Sequence, residues 1–224
     1  MNAGTSYGIN NQPGISASNI RVSDSRFLFD YSDGTHAISD VAILLPGRHN
    51  IENAVAAIAV ALQVGIDAEL IKKAVASFKG VKRRFEYIVD TEDCIYIDDY
   101  AHHPEELRAC FNAVRELYPS KKLTVIFQPH LFSRTRDFAD GFAEVLGTVD
   151  ELLLLDIYPA REKPLEGIDS NYLLGKIDLV DKAIYTKEAV LAAIADQRPE
   201  VLVTVGAGDI DTLIQPLKKL MSHA

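Results

Sequence analysis

Along residues 17–45, apolar and β-branched residues gather in three short runs, Ile20–Val22, Arg26–Tyr31 and Ala37–Leu45, parted by the turn-forming clusters Asp24-Ser25 and Ser32-Asp33-Gly34. That pattern predicts a small antiparallel meander. Past Pro46-Gly47 the spacing changes: Ile51, Ala54, Val55, Ile58 and Leu62 recur at helical intervals, Gly65 ends that helix, and Asp67 caps a second one running to Phe78. Three strands and two helices make a poor domain by themselves.

From Phe85 onward strands and helices alternate. Strands are predicted at Tyr87–Val89, Cys94–Ile97, Leu123–Phe127, Leu152–Leu155, Ala183–Tyr185 and Val201–Val205. Helices are predicted after Pro104, through Phe138, Phe142 and Leu146, over Lys187–Ala195, and at the end of the chain to Met221. Repeated strand-then-helix units imply an α/β fold, a mainly parallel sheet covered by helices on both faces. The change of pattern places a domain boundary near Gly80 to Lys82, which divides the chain into 1–80 and 81–224.

Composition narrows the class. The 224 residues are 48% hydrophobic and 25% charged, which excludes disorder, collagen and coiled coil. With 23 Lys and Arg against 32 Asp and Glu the formal charge is −9, so no general nucleic-acid surface is expected, although a local basic pocket fits. No apolar run is long enough for a membrane span, and MNAGTSYGINNQPG lacks the basic-then-apolar plan of a secretion signal. The expectation is a soluble, cytoplasmic protein without a membrane or nucleic-acid partner. Cys94 and Cys110 have no C-x-x-C spacing and read as small core residues in a reducing compartment.

In open parallel sheets ligands bind beyond the carboxyl ends of the strands. Here those ends are polar: Asp98-Asp99-Tyr100-Ala101-His102-His103-Pro104 after one strand, Gln128-Pro129-His130-Leu131-Phe132-Ser133-Arg134-Thr135-Arg136 after the next, then Asp156 to Glu162, and Gly206-Ala207-Gly208-Asp209. For any single end, turn and cap roles for Asp99 and Ser133 and a solvated His102-His103 pair would suffice. Coincidence at four ends favours a site, and arginine beside histidine suits an anionic substrate. Adjacent histidines on a loop diverge and no H-x-x-x-H pair exists, so no metal site is expected. The glycine pair Gly206 and Gly208 would let backbone N–H groups approach a ligand or the neighbouring loops, or would form a tight turn. It is too short and too late in the chain for a dinucleotide fingerprint.

Two further segments are candidates. Asn50 and Asn53 open the first helix, as cap and exposed first-turn residue or as amides matching the donor and acceptor edge of adenine. Lys82-Arg83-Arg84-Phe85-Glu86 lies at the proposed junction, where arginine can grip phosphate with two bonds or simply be solvated.

The segments PGRHNIENAVAA, FKGVKRRFE, DDYAHHPEE, FQPHLFSRT and GAGDI stand in the order seen in the Mur ligases, and the chain resembles that family from about Ile20 onward. DDYAHHP together with FQPHxxSRT is similar to the alanine-adding branch. The resemblance implies that 81–224 is the Rossmann-like carboxyl-terminal domain and that 1–80 is the end of the central ATP-binding domain. The partners implied are the missing amino-terminal and central domains, UDP-N-acetylmuramate and L-alanine. It implies a reaction in which ATP phosphorylates a lactyl carboxylate and the alanine amine attacks the acyl phosphate. No G-x-x-G-K-[ST] loop occurs, since Gly175-Lys176 is followed by Ile177, so Mg2+ ligands and the phosphate loop are expected in the missing central domain and the chain alone is expected to be inactive. Residue by residue, the resemblance implies adenine contacts for Asn50 and Asn53, ATP phosphate contact for Arg84 and ribose contact for Asp99. It places His102, His103, His130 and Arg134 towards the sugar-linked carboxylate and the alanine. Leu131 departs from the arginine many relatives carry. The alternatives are a ligase recycling murein tripeptide, or a stand-alone nucleotide-binding or regulatory module; a purely structural interaction domain fits the polar strand ends less well.

Overall fold

The computed structural model of the chain describes residues 6–9, 14–23 and 26–222. They fall into two units, one comprising the chain up to Gly80 with Asn112–Pro119, the other Val81–Phe111 with Ser120 onward.

In the first unit β1 (Tyr7–Ile9), β2 (Ile15–Ser23), β3 (Arg26–Ser32) and β4 (Ala37–Ile43) form a sheet in that order. The expected meander is β2-β3-β4, antiparallel throughout. Ahead of it β1 adds an edge strand parallel to β2, too short to leave a pattern in the sequence, and β2 starts at Ile15 rather than near Ile20 because Ile15, Ser16 and Ala17 are buried. Phe27, Phe29 and Tyr31 alternate into the core. The Ser32-Asp33-Gly34 turn is held by Asp33, whose Oδ1 accepts the N–H groups of Thr35 and His36 at 2.9 and 2.6 Å. The Asp24-Ser25 turn lies outside the described residues. Helix α1 (Arg48–Gln63) buries Ile51, Val55, Ile58 and Ala59. Helix α2 (Ala68–Ser77) is capped as expected, the Asp67 carboxylate accepting the N–H groups of Glu69 and Leu70.

In the second unit six strands take the order β5-β6-β10-β7-β8-β9: β5 (Glu86–Asp90), β6 (Ile95–Asp99), β7 (Leu123–Phe127), β8 (Glu151–Leu154), β9 (Lys182–Ile184) and β10 (Val201–Val205). Only β5 is antiparallel, at one edge. Strands β6, β7 and β10 are buried along almost their full length, which requires cover on both faces. On one face Tyr96, Ile126, Leu153 and Leu202 pack with Val190 and Ile194 of α7 (Lys187–Gln197) and Leu217 and Met221 of α8 (Ile214–Ser222). The alternate strand residues Ile97, Val125, Phe127 and Leu154 are equally buried, and Phe127 meets Phe142 of α5 (Ala139–Leu146) at 5.5 Å between ring centres. Cys94 and Cys110 are buried free thiols.

In the second unit the structure departs from the expected helices in three places. The helix expected through Phe138 is two, α4 (Phe132–Asp137) and α5, broken where Phe138 leaves helical geometry (φ −116, ψ 19). A short helix α6 (Ser170–Lys176), capped by Asp169, contains the Gly175-Lys176 pair; seven residues are too few to register as periodicity. The last helix is preceded by a 3-10 turn over Asp209–Leu213. The remaining helix is α3 (Pro104–Leu117), whose start at Pro104 is the expected one.

Candidate functional site

Strands β6, β10, β7 and β8 are neighbours and parallel, and their last rows are level: Val205 pairs with Asp99 on one side and Phe127 on the other, and Phe127 pairs with Leu154. All four polar strand ends therefore open at the same edge of the sheet.

Beneath that edge lies a buried ionic network. Asp98 has no solvent exposure; its carboxylate accepts the Thr204 hydroxyl at 2.6 Å and the Arg83 Nε–H at 3.1 Å. The same guanidinium donates to the Gly206 carbonyl at 2.6 Å. Burial pushes the Asp98 carboxyl up, against the pull of Thr204 and Arg83. Thus the basic run divides: Arg83 turns inward with a side chain 17% exposed, while Arg84 is exposed. Both guanidinium groups lie against the Tyr100 ring, 5.2 and 5.6 Å from its centre.

Asp99 is placed at the strand end as expected, and its carboxylate is already engaged. Oδ2 accepts the Phe85 N–H and Oδ1 the Ala101 N–H, each at 2.7 Å. Burial outweighs these bonds and pushes its carboxyl up to about 6. Each oxygen keeps a second lone pair for a further donor.

Next along the edge the structure brings His102, His130, Arg134 and Tyr158 together. The rings of His102 and His130 are 6.1 Å apart, and His130 stacks on Tyr158 at 5.7 Å. Backbone bonds hold Tyr158 there, its N–H donating to Pro129 and its carbonyl accepting from Leu131. Arg134 donates to His130 Nδ1 at 3.2 Å, which requires that nitrogen to carry a lone pair. Burial, then Arg134 and His102, hold the His130 imidazole below its ordinary range and favour the neutral form. His102 has the opposite arrangement: its Nδ1 lies 2.9 Å from the Tyr100 carbonyl, so Nδ1–H donates and Nε2 is left as the basic nitrogen. His103 diverges, its ring packing on Phe138 at 4.4 Å. Leu131, the residue before α4, has φ 72. Ser133 does not cap that helix; its N–H and hydroxyl both donate to Glu162, whose carboxyl is held below the usual range by those bonds.

The Gly206-Ala207-Gly208-Asp209 turn admits the neighbouring loops. A Cβ on Gly206 (φ 149) would meet the Gln128 carbonyl at 2.8 Å, and one on Gly208 would meet Gln128 Oε1 at 2.4 Å and Tyr158 Cβ at 2.7 Å. Gln128, nearly buried, uses that closeness: its Oε1 accepts the Ile210 N–H and its Nε2 donates to Asp209, which also pairs with Lys187. Gln128, Tyr158 and Glu162 stand in the strand-end runs, yet only their distant partners single them out. Arg83 and Thr204 had no signal beyond a basic pair and a strand position.

In the first unit Asn53 is exposed on α1 and Asn50 sits in the first turn, its side-chain N–H donating to the Pro46 carbonyl at 2.7 Å. The residue before the helix is Gly47 (φ 102), so Asn50 is not the cap. Among the described residues no group of three His, Cys, Asp or Glu is placed to hold a metal ion, and no helix is long and apolar enough to cross a membrane.

Comparison with known proteins places this edge in a family. The Mur ligase glutamate ligase domain matches residues 83–208, and the Mur ligase middle domain matches residues 2–61. The chain belongs to the Mur ligase family. It is 47% identical over 220 residues to the UDP-N-acetylmuramate–L-alanine ligase of Flavobacterium johnsoniae, covering 98% of this chain and 49% of that protein. It is 48% identical over 216 residues to the enzyme of the same name from Flavobacterium psychrophilum, covering 96% of this chain and 48% of that one. The chain thus spans about half the length of the curated relatives it matches. Among solved structures, the UDP-N-acetylmuramate–alanine ligase of Thermotoga maritima superposes with a TM-score of 0.73 at 23% identity, over 98% of this chain and 47% of that one. A murein peptide ligase from Psychrobacter arcticus gives 0.60 at 22% identity, over 97% and 46%. These superpositions carry the Mur ligase fold: a sheet that is parallel except for its edge strand, flanked by helices, and a smaller sheet ahead of it.

Proposed function

We propose that this chain is the carboxyl-terminal half of an ATP-dependent ligase that joins L-alanine to UDP-N-acetylmuramate, working in the cytoplasm with the remaining domains of the same enzyme. The observation that carries the reading is the His102, His130, Arg134 and Tyr158 cluster, in which the DDYAHHP and FQPHLFSRT segments meet at one sheet edge beside Tyr158 from the run after β8. ATP supplies the phosphoryl group that makes a carboxylate open to attack. The residues of this chain bind and orient. Arg134 and the His130 Nε2–H present donors to a carboxylate, as a neutral imidazole and a fixed cation can do together. His102, with Nδ1–H tied to a backbone carbonyl, offers Nε2 to take a proton from an ammonium group before the amine attacks. Arg84, exposed and steadied by Tyr100, is assigned to the nucleotide phosphates, Asp99 to the ribose, and Asn50 and Asn53 to adenine. His103 is assigned to the wall of the amino-acid site through Phe138, not to proton transfer. The described residues offer no Mg2+ ligand set, and no step through the metal is assigned to them.

A coupled phosphate-release assay on the intact protein tests the reading, with L-alanine, a murein tripeptide and no acceptor compared in the presence of UDP-N-acetylmuramate and ATP. Turnover that depends on L-alanine is the expected result, and the chain alone should give none. Preference for the tripeptide would reassign the protein to peptide recycling, and ATP binding without turnover would make it a regulatory module.

A further inference from the structure

We infer that Arg83 is a positioning residue that sets Arg84 and Asp99 for the nucleotide, an inference that rests on the proposed ligase reading. Arg83 and Phe85 both have left-handed backbone, φ 58 and φ 47. Non-glycine residues adopt it at a cost and keep it only where their surroundings fix it. Arg84 is the residue between them, so its exposed side chain is directed by two unfavourable conformations that something must hold.

The holding contacts converge on Arg83. Its N–H donates to Glu86 at 2.8 Å, its carbonyl accepts the Tyr100 N–H at 2.7 Å, and its guanidinium spans Asp98 and the Gly206 carbonyl. A guanidinium is a rigid fork that can bond two acceptors at once, and a lysine ammonium is a point charge on a flexible stem. One side chain therefore ties the segment before β5 to the ends of both β6 and β10. The fastening reaches Asp99 directly, because the Phe85 N–H that Asp99 accepts belongs to the same turn. Without the tie, the Arg84 guanidinium and the Asp99 carboxylate lose their common frame.

The test uses the intact protein and two readouts, KM for ATP against kcat in the phosphate-release assay, and amide exchange at Phe85 and Ala101 in the absence of any ligand. Removing Arg83 alone would strand a buried carboxylate and threaten folding. The main variant is accordingly Arg83→Met with Asp98→Leu, an apolar replacement of the pair that leaves the Thr204 hydroxyl its other partner, the Tyr96 hydroxyl at 3.2 Å. The expected result is a rise of about tenfold or more in KM for ATP with a much smaller change in kcat, and exchange at both amides faster by a similar factor. Arg83→Lys, which keeps the charge and loses the fork, should show the same KM defect and serves also if the double variant does not fold. Wild-type KM and unchanged exchange in either variant would overturn the inference. If the unsubstituted protein shows no alanine-dependent turnover, the ligase reading fails on its own, and the exchange measurement still decides whether Arg83 positions the turn.

Discussion

Gly208→Ala and Gly175→Ala are the same chemical change in one unit, and the structure gives them opposite signs. Gly208 has φ −86 and ψ −156, extended backbone open to any residue, so its penalty is steric. The new methyl would lie 2.4 Å from Gln128 Oε1 and 2.7 Å from Cβ and Cγ of Tyr158. Neither can yield freely, since Gln128 is bonded through both ends of its amide and Tyr158 through its backbone on both sides. Overpacking costs about 1–3 kcal/mol and a buried group losing its partner about as much. The total is about 2–6 kcal/mol, or roughly a 30- to 20,000-fold rise in exchange of a buried β10 amide such as Val203. Gly175 lies in α6 with nothing within 4 Å of its added methyl, so the substitution should stabilise by about 0.5–1 kcal/mol. Amide exchange at Val203 together with thermal melting checks both. Exchange in Gly208→Ala within twofold of the unsubstituted protein would show that the loops re-pack at no cost and that no steric penalty exists at this turn.

Arg134→Ala should raise a substrate KM by roughly 10- to 100-fold, the worth of a charge-assisted bond, and move the His130 titration upward in NMR because a neighbouring cation is gone; unchanged kinetics with an unmoved His130 would return Arg134 to an ordinary surface role. Asp99→Asn should weaken ATP binding more than 2′-deoxy-ATP binding by calorimetry, and equal losses would withdraw the ribose assignment. The same variant turns an amide NH2 towards either Phe85 N–H or Ala101 N–H, so a stability loss of about 1–3 kcal/mol is expected beside it. Because the Asp99 carboxyl sits near 6 in the fold against 3.8 when unperturbed, its contribution to stability is full below the unfolded value and is lost as pH rises through about 6. Urea melts between pH 4 and 7 should therefore slope downward more steeply with Asp99 than with Asn in its place.

What could be read from the chain, and what could not, follows from the range of the interactions. Strands β6, β7 and β10 are marked by unbroken apolar runs and by the polar residues at their ends, and both are local properties. Strand β1 and helix α6 are held by tertiary packing over few residues, which leaves no period to detect. At the candidate site the residue types were legible and their division of labour was not. Arg83 and Arg84 are indistinguishable in sequence, and only Asp98, met across the sheet, draws one of them inward. His102 and His103 differ because the first meets the Tyr100 carbonyl and the second meets Phe138.

Among the described residues β10 is the last strand in sequence, and it lies between β6 and β7. Until residue 205 has left the ribosome the sheet exists only as two separate halves, each with an open edge that invites pairing with other chains. Gly206, which accepts from Arg83, and Asp209 and Ile210, which bond Gln128, arrive with that strand. The site edge therefore cannot assemble until that strand has emerged, and a product truncated before Val201 would expose two open sheet edges rather than form a smaller working domain.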